Sequence, residues 1–381
     1  MRRCLKKPNF GILRHTARAF RIAMGVANRL TGLLVSMIYT PRHVLREGFS
    51  NRCEIISVGI DDCSYYLAKV HGGRLYTNRV TNISVISQMQ LVPSVSWQYL
   101  NGKVLPDTDN HLLDRRLLIN RTPTHVNGEV VSLLTGGGGN YNYYHWLFDC
   151  LPRLYIVKNF ISTDSHTKYC IPEDTHPFQR ETLEVLGIPV TSRISSNEYS
   201  HLRATLLLAT SHPNPNPSAI PAWIVRFLRE SFLGISSIAD KSRFVYVSRG
   251  DSVNARRLLN EDSLCKVLES VGFGIFHLSE LTFQDQVALF SQAKMVVGVH
   301  GAGLANLAFA SSGAVVYEIF SDQYKPNMYE RISLLVNIEY HRIICEVSEV
   351  EKPAQLADFR ISDICVMNIL KHAEQIVAGD A

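Results

Sequence analysis

The sequence lacks the patterns that mark several common classes of protein. Its eight cysteines include no CxxC pair, which argues against a zinc–cysteine site and against a disulfide scaffold. It has no GxxxxGKS or GxxxxGKT loop, which argues against a P-loop nucleotidase. The longest uncharged piece of the N-terminal region, from Leu30 to Pro41, is too short to span a bilayer. We therefore expect a globular chain with reduced cysteines, as is usual in a cytosol.

Acidic residues are also missing from residues 1–46, where ten of the 39 Lys and Arg residues lie. All 34 Asp and Glu residues come later in the chain. A basic segment of this kind favours an interfacial helix on anionic lipid, because each basic residue near the surface contributes about 1 kcal/mol. A transit peptide, a poor signal anchor and a helix of the first domain are the alternatives. No aromatic–basic interleaving accompanies the segment, so we expect no nucleic-acid partner.

The chain divides into three parts where its composition changes. After the basic segment 1–46, short apolar runs such as EIISVGI, AKV and ISVIS predict strands, and ATLLLAT predicts a buried strand. The stretch SHPNPNPS is stiff and unable to pair, which predicts a linker. We therefore place an N-terminal domain over residues 47–217 and a C-terminal domain over residues 218–381. The last helix, near residues 357–377, is a candidate for crossing back to the first domain.

Four apolar runs of the C-terminal domain alternate with segments of helical spacing. The runs are FVYV, FGIFHL, MVVGV and AVVYEI. Asn260 and Thr282 predict helix starts, and Gly272 predicts a left-handed helix end. The alternation predicts a parallel sheet wound with helices, in which ligands bind beyond the carboxyl ends of the strands. The residues that we place at those ends are Arg249, His300, Gly301 and Glu318.

These strand ends have the chemistry of an anion site. Gly301 and Gly303 let the backbone approach a ligand, and the helix that follows points its N–H groups and positive dipole end at it. Nearby arginines neutralise a diphosphate with bidentate bonds, and Glu318 could hold the vicinal hydroxyls of a ribose. Asn306 stands where the dinucleotide fingerprint has its third glycine, which disfavours a dehydrogenase. The arginines concerned are Arg249, Arg256 and Arg257.

A loop with four consecutive glycines precedes a second polar motif, YNYYHWLFDCLPR. If the motif begins a helix, His145 and Asp149 are four residues apart and share one face. Such a pair could take the proton of an attacking hydroxyl, with Asp149 as the base or with His145 as the base and Asp149 orienting it. We lean to Asp149, since only a carboxylate is certain to be unprotonated at neutral pH; a purely structural contact is the third alternative. The loop residues expected to face an acceptor are Gly138, Gly139, Asn140 and Asn142.

The chain resembles glycosyltransferase family 61 in four runs. They are NYYHWLFDCLPRL, VSRGDSVNARRLLNEDSL, FQDQVALFSQAKMVVGVHGAGLANLAF and GAVVYEIF. The family includes capsular-polysaccharide transferases of bacteria and Golgi or endoplasmic-reticulum transferases that add GlcNAc, xylose or arabinose. The resemblance is dense in motifs over about residues 130–320 and thin elsewhere.

The resemblance implies an α/β fold of the GT-B type, with two Rossmann-like domains facing across a cleft. It also implies an inverting transfer from a nucleotide-sugar, for which we favour a UDP-sugar, to a glycan or lipid-linked saccharide acceptor. The family implies neither a cofactor nor an essential metal. Asp107-Thr108-Asp109 spells a DxD, but it lies in a polar turn with no neighbouring strand of the needed kind, so we interpret it as a turn rather than a metal site. The donor-binding residues that we expect are Arg249, Arg256, Arg257, His300, Gly301, Ala302, Gly303, Asn306 and Glu318.

The expected setting is capsule or exopolysaccharide synthesis by a cytoplasmic enzyme that is peripheral on the inner face of the cell membrane. A Golgi or endoplasmic-reticulum lumen is the alternative location in a eukaryote. The alternative function is that of a non-catalytic or differently specialised Rossmann-type nucleotide-binding protein.

Overall fold

The computed structural model describes most of the chain. The described residues are 10–41, 43–44, 51–100, 103–106, 121–135, 141–163, 165–235, 243–250, 256–347, 353 and 356–379. They form an α/β protein with two β-sheets, which confirms the predicted α/β class; the GT-B arrangement of two facing domains stays a prediction.

The chain enters the described region through a 30-residue helix, α1, at Phe10–Tyr39. Its end is held on the first sheet, because Arg74 Nη1 donates to the Tyr39 carbonyl at 2.8 Å and the Tyr39 ring meets the His201 ring edge to face. In the described part of the chain, no helix combines the length and apolar character needed to cross a membrane. A helix in the basic N-terminal segment is therefore confirmed, whereas its contact with lipid stays a prediction.

The first sheet has twelve strands among the described residues, mixed in direction. Its antiparallel part includes a β2–β3 hairpin that turns tightly, because Ile60 pairs with Cys63 and Asp61 adopts a positive φ of 50°. The strands are β1 His43–Val44, β2 Cys53–Ile60, β3 Cys63–His71, β4 Arg74–Thr77, β5 Asn82–Ser87, β6 Gln90–Leu91, β7 Trp97–Leu100, β8 Lys103–Pro106, β9 Thr124–Ser132, β10 Lys168–Ile171, β11 Arg193–Ser195 and β12 His201–Thr210.

Four strands of this sheet run parallel in the order β12-β9-β10-β11. Helix α2 (Pro152–Phe160) connects β9 to β10, and helix α3 (Pro177–Val185) connects β10 to β11. Proline stands at the first position of both helices, where its missing N–H costs nothing. This part of the first sheet thus has the wound α/β pattern, beside an antiparallel extension.

The second sheet consists of five parallel strands in the order β14-β13-β15-β16-β17. Each of the four predicted runs lies in one of these strands, and β17 is a fifth strand that the apolar runs did not predict. Glu318 lies inside β16 rather than at its end, because the strand continues to Ser321. The strands are β13 Phe244–Val247, β14 Phe273–Phe276, β15 Met295–Val299, β16 Val315–Ser321 and β17 Glu339–Cys345.

The helices of the second half begin and end largely as predicted. Thr282 caps its helix by accepting a hydrogen bond from the Asp285 N–H, and Gly272 adopts the expected positive φ of 91°. Asn260 precedes its helix but does not cap it, because its side chain bonds the backbone of Ile361 instead. The helices are α4 Ala222–Phe232, α5 Glu261–Glu269, α6 Phe283–Gln292, α7 Met328–Val336 and α8 Asp363–Gly379.

One hydrophobic core joins the two sheets. It includes Leu208 of the first sheet, Trp223 of α4, and Val247 and Val316 of the second sheet. The opposite face of the second sheet carries a separate core with alternating residues such as Phe244 and Tyr246, so this sheet is covered on both faces. The boundary at residues 217 and 218 stays a prediction, because the large core crosses it.

The last helix, α8, packs on the second sheet. Its buried residues Ile369 and Ala373 belong to the core on the outer face of that sheet, and His372 contacts the hydroxyl of Tyr317 in β16. These contacts differ from the crossing back to the first domain that the sequence suggested.

Candidate functional site

The HWLFD motif forms a tight helical turn. The side chain of Asn142 accepts hydrogen bonds from the Tyr144 and His145 N–H groups at 2.9 and 3.4 Å, which starts the turn. Residues Trp146–Cys150 then adopt a π-helix, a form that often marks functional positions. His145 and Asp149 share a face as predicted, because His145 Nδ1 and Asp149 Oδ2 are 2.6 Å apart.

Asp149 is the buried member of this pair. Only 4% of Asp149 is exposed, whereas 22% of the His145 side chain is. The second carboxylate oxygen of Asp149 accepts from Asn214 Nδ2 at 3.3 Å, and His212 Nε2 lies 4.0 Å from Oδ2. Both oxygens of Asp149 thus have protein partners, and His145 is the member that a ligand can reach.

The charge of Asp149 is maintained by its neighbours. Burial raises the pKa of this carboxyl, but His145, His212 and Arg153 together outweigh burial and hold its pKa below the usual range. Burial lowers the pKa of His212 to about 3, so this imidazole is neutral near pH 7. Asp149 is therefore ionised at neutral pH, with His145 as its direct partner.

The proline-rich stretch that the sequence predicts to be a linker is part of this site. Arg153 is fully buried, and its Nη1 donates to the carbonyls of Thr210 and Ser211 at 3.1 Å. These bonds fix the start of the stretch, which places His212 and Asn214 beside Asp149. Buried backbone and side-chain polar groups find partners here, which a solvated linker would not need.

The predicted donor half of the site is built around His300, which directly follows β15. Arg249 Nη1 and Arg256 Nη1 donate to the His300 carbonyl at 3.1 and 3.2 Å. The Arg256 guanidinium also lies over the Tyr324 ring, 4.9 Å from its centre. The structure therefore brings two of the three predicted arginines to the carboxyl end of β15, where an anion would meet both.

Glycine at position 301 makes room for one of these arginines. A Cβ atom on Gly301 would lie 1.9 Å from Arg249 Nη1, so only glycine permits this position of the guanidinium. A Cβ atom on Gly303 would instead lie 2.7 Å from Leu278 Cδ1. Ala302 begins the 3-10 helix Ala302–Phe309 and is half-buried beside these glycines.

The backbone at Arg256 is held in an uncommon conformation. Its φ of 116° lies in the left-handed region, where residues with a Cβ atom are strained. Asp358 Oδ1 accepts from the N–H groups of Arg256 and Arg257 at 3.3 and 2.7 Å, which stabilises this turn. The turn directs the Arg256 side chain to His300, whereas Arg257 is exposed.

Glu318 is the hydrogen-bond partner of the His300 ring. Glu318 is 0% exposed; its Oε1 lies 2.5 Å from His300 Nδ1, and its Oε2 accepts from the Tyr340 hydroxyl at 2.6 Å. Burial raises the pKa of Glu318 to about 8, and burial and the nearby Arg256 and Arg249 lower the pKa of His300. The two groups therefore share a proton as a neutral pair, and the expected contact of Glu318 with ribose hydroxyls would require one of its bonds to break.

Asn306 joins the two motifs. Its side chain is fully buried, donates to Gln286 Oε1 at 2.9 Å and accepts from the Tyr143 hydroxyl at 2.6 Å. Asn306 thus ties the loop after β15 to the HWLFD turn rather than facing a ligand.

Aromatic side chains complete the junction between the two halves. The ring of Tyr329 meets the Tyr144 ring edge to face at 6.1 Å between centres and lies 5.3 Å from the His300 ring. The Tyr99 ring meets the His145 ring at 6.4 Å. A path of ring contacts through Tyr144 and Tyr329 therefore connects the His145–Asp149 pair to His300; that the two predicted half-sites act as one site stays a prediction.

Several predicted residues contribute differently or lie outside the described residues. Asn142, which was expected to face an acceptor, caps the helical turn. Among the described residues, one group of three potential metal ligands occurs, and it lies away from this site, at Glu339, His341 and His372. The residues that the sequence did not single out are His212, Asn214, Tyr99, Tyr324, Tyr329, Tyr340 and Arg342. Isolated polar and aromatic residues carry no spacing signal. Among these residues, only His212 and Asn214 lie in a stretch with a sequence signal, the proline-rich segment SHPNPNPS. The predicted residues outside the described part of the chain are Asp107, Asp109, Gly138, Gly139 and Asn140.

Comparison with known proteins identifies the family of this region. Residues 143–317 match the family described as Glycosyltransferase 61. The EGF domain-specific O-linked N-acetylglucosamine transferase of Drosophila melanogaster is 32% identical over 103 residues, which are 26% of this chain and 19% of that protein. The β-1,2-xylosyltransferase of Arabidopsis thaliana is 30% identical over 77 residues, which are 20% of this chain and 14% of that protein.

The match to these relatives thus covers less than a fifth of their length. The family match itself covers the HWLFD turn, the positions of Arg249 and Arg256, the His300 loop and the first three residues of β16. The region from residue 143 to residue 317 therefore belongs to glycosyltransferase family 61, as the motifs predicted.

Proposed function

We propose that this protein transfers a sugar from a nucleotide-sugar donor to the hydroxyl of an acceptor. The observation that carries the proposal is the junction of two half-sites: an ionised Asp149 paired with His145, and two arginines converging at the His300 carbonyl. The first can take a proton, and the second can hold a diphosphate. A glycosyl transfer needs both in one place.

The proposed reaction inverts the configuration of the sugar. The base takes the proton of the acceptor hydroxyl while the hydroxyl oxygen attacks the anomeric carbon of the donor sugar. The bond from that carbon to the diphosphate oxygen breaks. The electron pair leaves with the nucleoside diphosphate, whose charge Arg249 and Arg256 stabilise. Because these guanidiniums supply positive charge, the proposed mechanism requires no metal, and UDP is the proposed nucleotide.

We assign the role of base to His145, with Asp149 orienting it. The burial of Asp149, the protein partners of both its oxygens and the greater exposure of His145 support this choice between the two alternatives. Asp149 Oδ2 holds Nδ1 of the imidazole, which leaves Nε2 for the acceptor. An ionised carboxylate at this position also stabilises the imidazolium that forms.

The proposed architecture is of the GT-B type. Each sheet contains parallel strands connected by helices, which is what two Rossmann-like units would provide. The site lies where elements of both meet, in keeping with a donor held mainly by the second unit and an acceptor approaching from the first.

The proposed acceptor is a glycan or a protein-linked saccharide. The name of one relative, an EGF domain-specific O-linked N-acetylglucosamine transferase, favours an acceptor on a protein, whereas capsule synthesis stays a prediction from the family alone. The basic segment and the exposed apolar residues of α1 support docking on an anionic membrane surface. The exposed apolar residues are Met24, Val26, Leu30, Leu33, Leu34, Met37 and Ile38.

A thermal-shift panel tests the proposal. Purified protein is heated with UDP, GDP, CDP, TDP, NAD and common UDP-sugars, each with and without EDTA. A ligand at a hundred times its Kd adds about 2.7 kcal/mol of stability, so one nucleoside diphosphate should raise the Tm, and EDTA should leave that ligand-induced shift unchanged. A response to NAD alone, or to no diphosphate, would mean that the arginine cluster is not a donor site.

A transfer assay with the stabilising nucleotide-sugar then separates an enzyme from a binding protein. Release of the nucleoside diphosphate in the presence of a glycan acceptor supports the transferase. Tight nucleotide binding without any turnover on glycan, glycopeptide or water would favour a non-catalytic relative.

A further inference from the structure

A second cluster of polar side chains lies on the outer face of the second sheet. Glu339 and His341 are two residues apart on β17 and so point to the same face, and His372 reaches them from α8. One ligand atom from each of the three lies within 4.8 Å of the others. β17 is the edge strand of its sheet, so the cluster sits where the edge strand meets the last helix.

The contacts within the cluster hold the rings in place. His341 Nε2 and Glu339 Oε1 are 2.8 Å apart, and the His341 ring stacks on the Tyr317 ring with 4.4 Å between centres. The His372 ring stands nearly perpendicular to the His341 ring at 5.3 Å. The Tyr317 hydroxyl lies 3.1 Å from His372 Nδ1, the kind of outer hydrogen bond that orients histidines which bind metals.

We propose that Glu339, His341 and His372 form a binding site for Zn²⁺. Two imidazoles and one carboxylate are a ligand set that zinc accepts, with bonds of about 2.0–2.2 Å and water in the fourth tetrahedral position. Tetrahedral geometry at these bond lengths puts ligand atoms about 3.3 Å apart. The ligand atoms now lie within 4.8 Å of one another, so binding of zinc would draw them closer by up to about 1.5 Å.

This site is separate from the proposed transfer chemistry. Tyr317 and Glu318 are neighbours on β16, so their side chains point to opposite faces of the sheet. Glu318 faces His300 and the donor cluster, whereas Tyr317 faces His341 and His372. A zinc ion here would link the edge strand to the last helix and would leave the donor site free of metal.

Isothermal titration of untagged, full-length protein with ZnCl₂ near neutral pH tests the proposal. We expect one zinc per chain in the wild type and a rise in Tm with zinc. His341→Gln and His372→Gln should each weaken binding at least about 100-fold, and Tyr317→Phe about 10-fold, as removal of an outer hydrogen bond does. Co²⁺ in place of zinc should give the visible absorption of a tetrahedral site, which the two histidine variants lose.

A matched control uses a histidine elsewhere. His71→Gln replaces an exposed histidine at the end of β3 and should bind zinc as the wild type does. Equal zinc affinity in the wild type and in the His341→Gln, His372→Gln double variant would overturn the proposal, because the metal would then sit on other side chains. A wild-type Kd weaker than 100 μM, which corresponds to a binding free energy of roughly −5.5 kcal/mol, would overturn it as well. Neither outcome bears on the nucleotide panel.

Discussion

The two halves of the candidate site each pair a buried carboxyl group with a histidine, yet the pKa values of the two carboxyl groups are shifted in opposite directions. Asp149 lies 2.6 Å from His145 and has a lowered pKa. Glu318 lies 2.5 Å from His300, and its pKa is raised to about 8. Burial acts on both in the same sense, so burial alone does not explain the difference.

The surroundings of the histidine decide the direction. His145 is partly exposed, and Arg153 adds positive charge beside Asp149, so the carboxylate keeps its charge. His300 is itself buried, and Arg256, Arg249 and Arg342 around it disfavour a fourth positive charge there. A neutral imidazole adds no charge to stabilise an ionised Glu318, and burial outweighs the lowering of its pKa by Tyr340, Arg342 and Arg256. The same pair of residue types thus gives an ionised carboxylate in one half and a carboxyl that favours its neutral form in the other.

Variants of the first pair should have the largest effect. With His145 as base, His145→Gln should lower the transfer rate by about 10²–10⁴-fold, and Asp149→Asn should lower it less. The nucleotide-induced Tm shift should stay unchanged in both, since neither side chain belongs to the proposed donor-binding residues. The exposed Asp62→Asn is the control for a lost carboxylate. Full activity of Asp149→Asn would remove this pair from the mechanism, and loss of nucleotide binding would move Asp149 into the donor site.

An arginine of the second half should affect binding rather than turnover. Arg249→Ala should weaken nucleoside diphosphate binding by about 1.5–3 kcal/mol, the scale of a hydrogen bond to a charged group. Titration calorimetry with the diphosphate measures the change. The exposed Arg360→Ala removes the same charge from the same half of the chain and should have no comparable effect. An unchanged affinity in Arg249→Ala would show that the cluster at His300 does not hold the donor.

The opposite pKa shifts of Glu318 and Asp149 predict opposite changes of folding stability with pH, which Tm measurements over a range of pH would show. A raised pKa at Glu318 stabilises the fold below the unfolded value, 4.5, and this stability is lost as pH rises through about 8. Relative to wild type, the Tm of Glu318→Gln should therefore increase between pH 4.5 and 8. Asp149 contributes stability above its unfolded value, 3.8, that is lost as pH falls through its lowered folded pKa. The gap between wild type and Asp149→Asn should accordingly narrow on acidification, and parallel curves for both variants would contradict the comparison.

The smallest expected effect concerns the glycine that makes room for Arg249. A Cβ atom in Gly301→Ala would displace the end of a flexible side chain, so the fold should persist and diphosphate affinity should fall by less than about 1.5 kcal/mol. A double-mutant cycle with Arg249→Ala tests the cause. If Gly301 acts through Arg249, adding Gly301→Ala to Arg249→Ala should change nothing further; an additive loss would show a direct role for the loop backbone.

Much of the second sheet could be predicted from the chain because its signals are local. Four apolar runs, the Thr282 cap and the glycine at position 272 each act within a few residues, and the structure confirms all of them. The contact between His145 and Asp149 was predictable for the same reason, since helical spacing brings them together. The prediction that Asn260 caps its helix was wrong because a distant residue, Ile361, takes its side chain.

Periodicity and short motifs were enough to predict the α/β class, the alternation of strands and helices in the second half, and the resemblance of residues 143–317 to glycosyltransferase family 61. The tertiary structure was needed to show which polar groups have partners. It placed the proline-rich stretch beside Asp149, turned Asn306 towards Tyr143 and surrounded His300 with arginines, all through contacts between residues far apart in the chain. Protonation depends on burial and on such long-range neighbours, so the roles of Asp149 and Glu318 could be assigned only once the fold was known.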